Sequence, residues 1–355
     1  MKKEENENIN VEAPIEQKVN TGHVDWDGGI DWNSISAKSF GGTELMCRRI
    51  ETSMPKDLLK NFQIIPSRVR ELDETKIRIL ILNDLPHDPE SQHLKDGGWR
   101  KFHKLVFVSY WQREWYVREF QVPFSRTVVL QNAIIPIEVA AKPDPKKQIN
   151  LIYHTTPHRG LDILYSVVEK LVEKYPTIHL DVYSSFGIYG WKERDEQFKD
   201  LFQKITDHKS MTYHGYKPND EVRTALQKAH IFSYPNTWME TSCLSLMEAM
   251  SAKCLCVHSD FGALPETAAN WTMMYPFNED RSVHANVFYN CLSVAIDNIL
   301  TNDTGQTLKL NGIKDYADLF YNWNIRKIQW ENFLKSMLNV PRKIETPHET
   351  FVYRA

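Results

Sequence analysis

The sequence contains no long hydrophobic run, and no stretch approaches the ~18 apolar residues that a membrane-spanning helix needs. Its opening segment, MKKEENENINVEAPIEQKVN, is charged and lacks the apolar core of a secretion signal. We therefore expect residues 1–20 to form a mobile tail, and we expect the protein to be cytoplasmic.

The sequence also has little net charge and few cysteines. A net charge of −3 over 355 residues argues against a general nucleic-acid binder. The five cysteines are odd in number and scattered, which indicates reduced thiols rather than a disulfide framework. No Gly-x-Gly-x-x-Gly turn follows an early strand, which argues against a dinucleotide-dependent oxidoreductase.

The chain does contain enough apolar residues, 42% of 355, for two domains of ordinary size. The segment AAKPDPKKQIN at residues 140–150 is rich in proline and lysine, and it is the best candidate for a linker. The predicted domains are therefore residues 21–140 and residues 150–320.

Short apolar runs predict buried parallel strands in both domains. They lie at residues 62–67, 77–82, 104–109, 126–130, 150–153, 178–183, 211–215, 231–234 and 254–259. Ligands of doubly wound sheets bind beyond the carboxyl ends of such strands, so the loops that follow them are candidate sites.

The most informative of these loops opens the stretch PNTWMETSCLSLMEAMSAKCLCVHSDFGALPE at residues 235–266. Glu240 precedes a helix that we expect to begin at Thr241 or Ser242, and Glu248 lies about two turns further on. The N-terminus of a helix favours anions, whereas carboxylates accept hydrogen bonds from sugar hydroxyls. This combination suits a ligand that carries both phosphate and hydroxyl groups.

This stretch resembles the retaining, family-4-like glycosyltransferases of the GT-B fold, also called glycosyl transferases group 1. Their signature of two glutamates separated by seven residues, followed by Ala-Met, stands here as Glu240-TSCLSLM-Glu248-Ala249-Met250. In that family the first glutamate faces the donor sugar, and the second holds the ribose hydroxyls. The usual glycine three residues after the first glutamate is Cys243 in this chain.

The resemblance covers roughly residues 40–338 and implies an α/β protein with two Rossmann-like domains facing across a cleft. It makes residues 21–140 an acceptor domain, completed by a C-terminal helix at residues 321–340. Residues 150–320 become the nucleotide-sugar domain.

Other loops extend the resemblance. FGGTE, with Gly41 and Gly42, resembles the family's loop at the donor diphosphate or the acceptor, and glycines allow close backbone approach there. In HTTPHRG, Arg159 stands at the usual position of a phosphate-binding lysine, whereas His154 occupies the usual arginine position. A histidine near the donor sugar is implied after the second strand, and His87 and His93 compete for that role.

The resemblance implies transfer of a hexosyl-type sugar from a nucleotide diphosphate sugar to a glycan, a lipid or a protein-linked sugar, with retention of configuration. It implies no cofactor and no bound metal; peripheral contact with a membrane stays open. The implied catalytic residues are Glu240, Arg159 and His87. The implied donor-binding residues are Gly41, Gly42, Arg159, Lys217, Thr241, Ser242, Cys243, Leu244 and Glu248.

Two alternatives remain at this stage. The missing arginine and the substituted glycine allow a sugar-nucleotide-binding subunit without transfer activity. Asp25-Trp26-Asp27 matches the short Asp-x-Asp pattern of metal-dependent glycosyltransferases of the other common fold.

Overall fold

The structure is a computed structural model that describes residues 27–35, 39–139, 141–301 and 303–344. The predicted tail at residues 1–20 lies outside these ranges. The strands are β1 (Gly29–Ile30), β2 (Phe62–Pro66), β3 (Ile77–Leu82), β4 (Lys104–Phe107), β5 (Thr127–Val129), β6 (Ile149–Tyr153), β7 (Ile178–Val182), β8 (Met211–Tyr213), β9 (Ile231–Tyr234), β10 (Leu255–Ser259) and β11 (Met273–Tyr275).

The α-helices follow the same numbering along the chain. They are α1 (Gly42–Ser53), α2 (Lys56–Leu59), α3 (Tyr110–Phe120), α4 (Leu161–Lys174), α5 (Lys199–Asp207), α6 (Asn219–Leu226), α7 (Leu244–Ser251), α8 (Leu264–Ala268), α9 (Arg281–Thr301), α10 (Thr304–Phe320) and α11 (Trp323–Met337). No helix within the described ranges is both long and apolar enough to cross a membrane.

Two all-parallel sheets organise the chain. The first has five strands in the order β1-β2-β3-β4-β5, and the second has six in the order β11-β10-β9-β6-β7-β8. Strands β2, β3, β9 and β10 are buried along their whole length, as the continuous apolar runs predicted. The architecture is therefore α/β with two Rossmann-like sheets.

The first sheet is covered on both faces. One face packs against α1 and α11, and the other packs against α3 and the irregular 3-10 segment Pro89–Lys101. Helix α11 contributes Trp323, Trp330, Leu334 and Met337 to the core of the first sheet, although it follows the second sheet in the sequence. Helix α11 lies within the segment 321–340, and its role in completing an acceptor domain stays a prediction.

The second sheet contains a reversal of strand order. Successive strands run outward from β6 to β8 on one side and from β9 to β11 on the other, so β6 and β9 are neighbours at the centre. Such a switch point opens a crevice beyond the carboxyl ends of the two central strands. The loops after Tyr153 and Tyr234 meet at this crevice.

Candidate active site

The loops that follow β6 and β9 touch each other at the switch point. Gly160 has φ +108°, and a Cβ on it would lie 2.1 Å from the carbonyl oxygen of Pro235. The hydroxyl of Thr237 donates to the carbonyl of His158 at 3.2 Å. Glycine is therefore required after Arg159, both for its backbone conformation and for the close approach of the second loop.

An ion pair joins the two loops. Arg159 Nη1 donates to Glu240 Oε1 at 2.7 Å, and the Tyr234 hydroxyl donates to the same oxygen at 2.6 Å. Glu240 is 4% exposed, so this carboxylate is held by charge-assisted hydrogen bonds away from bulk water. The structure thus brings together two of the residues that the sequence proposed as catalytic.

The charge states follow from this arrangement. Burial acts to lower the pKa of Arg159, but the Glu240 carboxylate, together with Tyr189, Tyr234 and Cys243, acts against burial and keeps that pKa well above its ordinary value. Burial, reinforced by Glu240, raises the pKa of Tyr234 well above its usual range. Arg159 is therefore a cation and Tyr234 a neutral donor.

His154 does not supply a second cation. Burial lowers its pKa to about 3, so the imidazole is neutral at physiological pH. Its backbone carbonyl accepts a hydrogen bond from the Ser245 hydroxyl at 3.1 Å. The phosphate-binding arginine of the family thus has no charged substitute at this position.

Helix α7 begins later than the sequence predicted. It starts at Leu244 with Cys243 as the N-cap residue, not at Thr241 or Ser242. Glu240 forms a parallel bridge with Gly262, so the chain is still extended there and cannot enter a helix at once. The Thr241 hydroxyl, expected as a cap, instead donates to the carbonyl of Asn83 in the first domain at 2.7 Å.

Cys243 fills the position of the usual glycine without capping the helix by its side chain. The residue is 4% exposed, and burial raises the pKa of its thiol, so it remains protonated and inert. The first N–H groups of α7 therefore lie next to a buried thiol rather than a capping oxygen.

Glu248 is also buried, at 3% exposure, but it faces α6. Asn219 Nδ2 lies 3.1 Å from both carboxylate oxygens, and Arg223 Nη1 lies 3.3 Å from one of them. Asn219 and Arg223 donate hydrogen bonds to the Glu248 carboxylate and so hold it in one orientation. Its contact with a ribose stays a prediction.

Gly41 and Gly42 lie where the two domains touch. Helix α1 begins at Gly42, and a Cβ on Gly41 would lie 2.5 Å from Cε1 of Tyr189 in the second domain. A Cβ on Gly42 would lie 3.0 Å from Cδ1 of Leu244. Neither glycine has a positive φ, so each is needed for close packing across the interface rather than for its backbone conformation.

Tyr189, which the sequence analysis did not single out, stands beside the ion pair. It ends the 3-10 turn Phe186–Tyr189, and the Phe40 N–H anchors this turn by donating to the Ile188 carbonyl at 2.6 Å. Burial raises the pKa of Tyr189, the charge of Arg159 acts against this, and the charge of Glu240 adds to it. No motif marks Tyr189, and only the contact between domains reveals it.

Several buried polar atoms near the switch point have no hydrogen-bond partner among the residues that the structure describes. They lie in segments that follow β6, β7 or β9: His154 Nε2, Thr156 Oγ1, His158 Nδ1, Arg159 Nε, Ser184 Oγ and Ser242 Oγ. Native proteins leave few such atoms unsatisfied, and a bound polar ligand is one way to satisfy them. Their number at one edge of one sheet supports a binding site there.

Three other predicted residues lie outside this cluster in the structure. Lys217 Nζ lies 3.4 Å from an oxygen of Glu221, which belongs to the following helix α6. His87 is exposed, and its ring centroid lies 5.4 Å from that of Trp115. His93 packs edge-on against Phe102, with Nε2 buried.

Of the two aspartates in the alternative metal site, only Asp27 lies within the described residues. Asp25 lies outside the described residues, and Asp27 is exposed with a carboxylate oxygen 3.8 Å from Lys76 Nζ. Within the described ranges, no group of three or more His, Cys, Asp or Glu side chains could hold a metal ion.

Comparison with solved structures defines the class of the fold. TarM has a TM-score of 0.58 at 14% identity, covering 81% of this chain and 58% of its own. Sucrose-phosphate synthase from Thermosynechococcus elongatus has a TM-score of 0.58 at 14% identity, covering 78% and 73% of the two chains. With the two parallel sheets, these matches show a GT-B fold.

Sequence comparison finds a family profile that matches the region of the second sheet. The profile described as "Glycosyl transferases group 1" matches residues 136–287. One subunit of the human phosphatidylinositol N-acetylglucosaminyltransferase is 25% identical over 168 residues, or 46% of this chain. The match spans 33% of that human protein, and the chain spans 58% of TarM.

Proposed function

We propose that this protein transfers a sugar from a nucleotide diphosphate sugar to an acceptor hydroxyl, with retention of configuration and without a bound metal. The observation that carries the proposal is the pair of Arg159 with the buried Glu240 at the switch point, where several buried polar atoms have no partner among the described residues. The match of residues 136–287 to a glycosyltransferase family profile supports the same reaction class.

The proposed chemistry relies on positioning and on stabilisation of the leaving group. Arg159 keeps donor capacity toward the departing diphosphate, because Nε has no partner among the described residues and only Nη1 bonds Glu240. The N-terminus of α7 adds a favourable dipole. Since His154 is neutral, Arg159 carries the cationic role in this loop alone.

Glu240 is assigned to the donor sugar and Glu248 to the ribose. Tyr234 and Arg159 use Oε1 of Glu240, so Oε2 is available to accept a sugar hydroxyl. Asn219 and Arg223 hold the Glu248 carboxylate in one orientation. In that orientation its oxygens would accept hydrogen bonds from two adjacent ribose hydroxyls.

The first experiment measures thermal stabilisation and release of free sugar across UDP-, GDP- and ADP-sugars, with and without a chelator. We expect one nucleotide to stabilise the protein regardless of chelator, and we expect Glu248→Ala to lose that response. Glu173→Ala, which removes an exposed carboxylate on α4, is the matched control. No response to any donor, or an unchanged response in Glu248→Ala, would refute the assigned site.

A binding protein without transfer activity is the second candidate, favoured by one observation. The Arg159 charge is already paired with Glu240, and His154 adds none, so the site holds less cationic charge than the family's. Stabilisation by a donor without any sugar release, even with simple hydroxyl acceptors, would favour the binder. Loss of activity with chelator would instead favour the metal-dependent alternative at Asp25 and Asp27.

A further inference from the structure

Glu266, in α8 of the second domain, spans the interface between the domains. Its Oε1 accepts the Tyr110 N–H at 2.9 Å, and its Oε2 accepts the Trp111 N–H at 2.8 Å. Gln131 Nε2 donates to Oε1 at 2.8 Å. All three donors belong to the first domain, so one carboxylate makes three hydrogen bonds across the interface.

These bonds complete the N-terminus of α3. The first N–H groups of a helix have no partner within the helix, and Tyr110 and Trp111 provide the first two of α3. The third, from Gln112, donates to the Ser109 hydroxyl at 3.1 Å. Capping of this helix is therefore divided between a local serine and a glutamate from the other domain.

The charge of Glu266 suits this position. A carboxylate at a helix N-terminus is stabilised by the macrodipole and by charge-assisted hydrogen bonds. In the part of the chain that the structure describes, no lysine, arginine or histidine forms an ion pair with Glu266. The carboxylate is thus matched to the helix rather than to a cation, and it loses these partners when the domains separate.

Glu266 is also connected to Glu240 through a short segment. The Ala263 N–H donates to the Glu240 carbonyl at 2.7 Å, and Gly262 forms a parallel bridge with Glu240. Gly262 has φ +76°, and a Cβ there would lie 2.4 Å from the Glu240 carbonyl oxygen. Glu266 is therefore joined to the Glu240 backbone through the segment that contains Gly262 and Ala263.

We propose that Glu266 is a latch between the two domains and a positioning residue for Glu240. Contact with α3 holds the domains together and sets the Glu240 loop in the same step. The role assigned to Glu240 rests on the proposed function, whereas the latch itself does not.

Hydrogen exchange of the ligand-free protein tests the latch. In Glu266→Ala, we expect the amides of Tyr110 and Trp111 to exchange at least ~10-fold faster, and we expect small-angle scattering to give a larger radius of gyration. The matched control is Asp303→Ala, which removes a carboxylate that caps α10 from its own domain. The control should leave both quantities unchanged.

Unchanged exchange at Tyr110 and Trp111, with an unchanged radius of gyration, would overturn the proposal. If Glu266→Ala unfolds, the decision moves to Glu266→Gln, which keeps the size of the side chain and one acceptor oxygen. There, faster local exchange supports the latch, and unchanged exchange overturns it.

The link to Glu240 has a separate test. With the donor identified by the nucleotide panel, Glu266→Gln should lower kcat for sugar release at least ~10-fold with little change in KM, because Glu240 is displaced while the phosphate contacts remain. An unchanged kcat refutes the positioning role. If no donor binds, the proposed function fails, yet the exchange experiment still decides the latch.

Discussion

Among single residues, Arg159 and Glu240 matter as a pair, because each is the main compensation for the other's buried charge. Sequence motifs identified both residues. They did not predict that Nη1 would lie 2.7 Å from Oε1, since that distance depends on β6 and β9 being neighbours in the sheet. The order of strands cannot be read from the apolar runs themselves.

Glu240→Gln should lower both the free energy of unfolding and the rate of donor turnover. It leaves the Arg159 guanidinium, whose side chain is 20% exposed, without a carboxylate partner; removal of one partner from a fully buried pair typically costs ~3–5 kcal/mol, and partial exposure reduces that cost. Urea unfolding measures the first effect, and donor turnover measures the second. Glu173→Gln on the exposed face of α4 should change neither; equal stability of Glu240→Gln and wild type would contradict the structure.

Tyr189 should control the access of water to the ion pair. Tyr189→Ala opens space beside Gly41, so we expect more free sugar released per sugar transferred, whereas Tyr189→Phe keeps the ring and should behave like wild type. Product analysis with the identified donor gives this ratio. The same ratio in both variants would remove the shielding role.

His258 should make stability depend on pH. It is fully buried in β10, where its ring bonds the Ser259 carbonyl and the Thr272 hydroxyl, and burial lowers its pKa to about 4. The unfolded chain gains a proton as pH falls through ~6.5, but the folded protein does not until about pH 4, so stability falls over that window. By pH 5 the loss is ~2 kcal/mol.

Urea unfolding at pH 7 and pH 5 measures this loss. His258→Asn should lose less stability than wild type over the same interval, whatever its absolute stability. His87→Asn, at an exposed position, is the control and should follow wild type. A steeper pH dependence in His258→Asn would contradict the prediction.

Among the helices and strands, the fully buried strands were predicted most accurately from the sequence. The predicted strands at 77–82 and 231–234 match β3 and β9, because both are mainly apolar and are buried along their whole length. The sequence predicts no strand before residue 62, whereas the structure has β1 at Gly29–Ile30, which is too short to produce an apolar pattern. The start of α7 was placed too early because the bridge to Gly262 is a tertiary contact.

That bridge can be tested by Gly262→Ala. The change requires a left-handed backbone at an alanine and a Cβ 2.4 Å from the Glu240 carbonyl oxygen, so the loop must move. We expect a loss of ~2 kcal/mol or more in unfolding free energy, together with loss of donor turnover. Gly305→Ala, where φ is not positive and the nearest atom is 3.3 Å away, should be tolerated.

In the whole molecule, the domains depend on each other through α11. A chain that ends at residue 320 lacks Trp323, Trp330, Leu334 and Met337, which are buried against the first sheet. We expect this truncation to unfold the first domain while the second keeps its core. Hydrogen exchange should show loss of amide protection at β2 and β3 but not at β9. A truncated chain that unfolds in a single cooperative transition, as the wild type does, would contradict this prediction.

The return of α11 also bears on the order in which the protein is made. About 190 residues separate Val129 at the end of β5 from Trp323 at the start of α11. A ribosome adding ~5–20 residues per second synthesises that interval in ~10–40 s, during which the part of the first sheet that α11 covers stays exposed, while α1 already covers the rest of that face. The domain that is synthesised first is therefore completed last. Until α11 is made, the nascent chain exposes an apolar surface that a chaperone can bind.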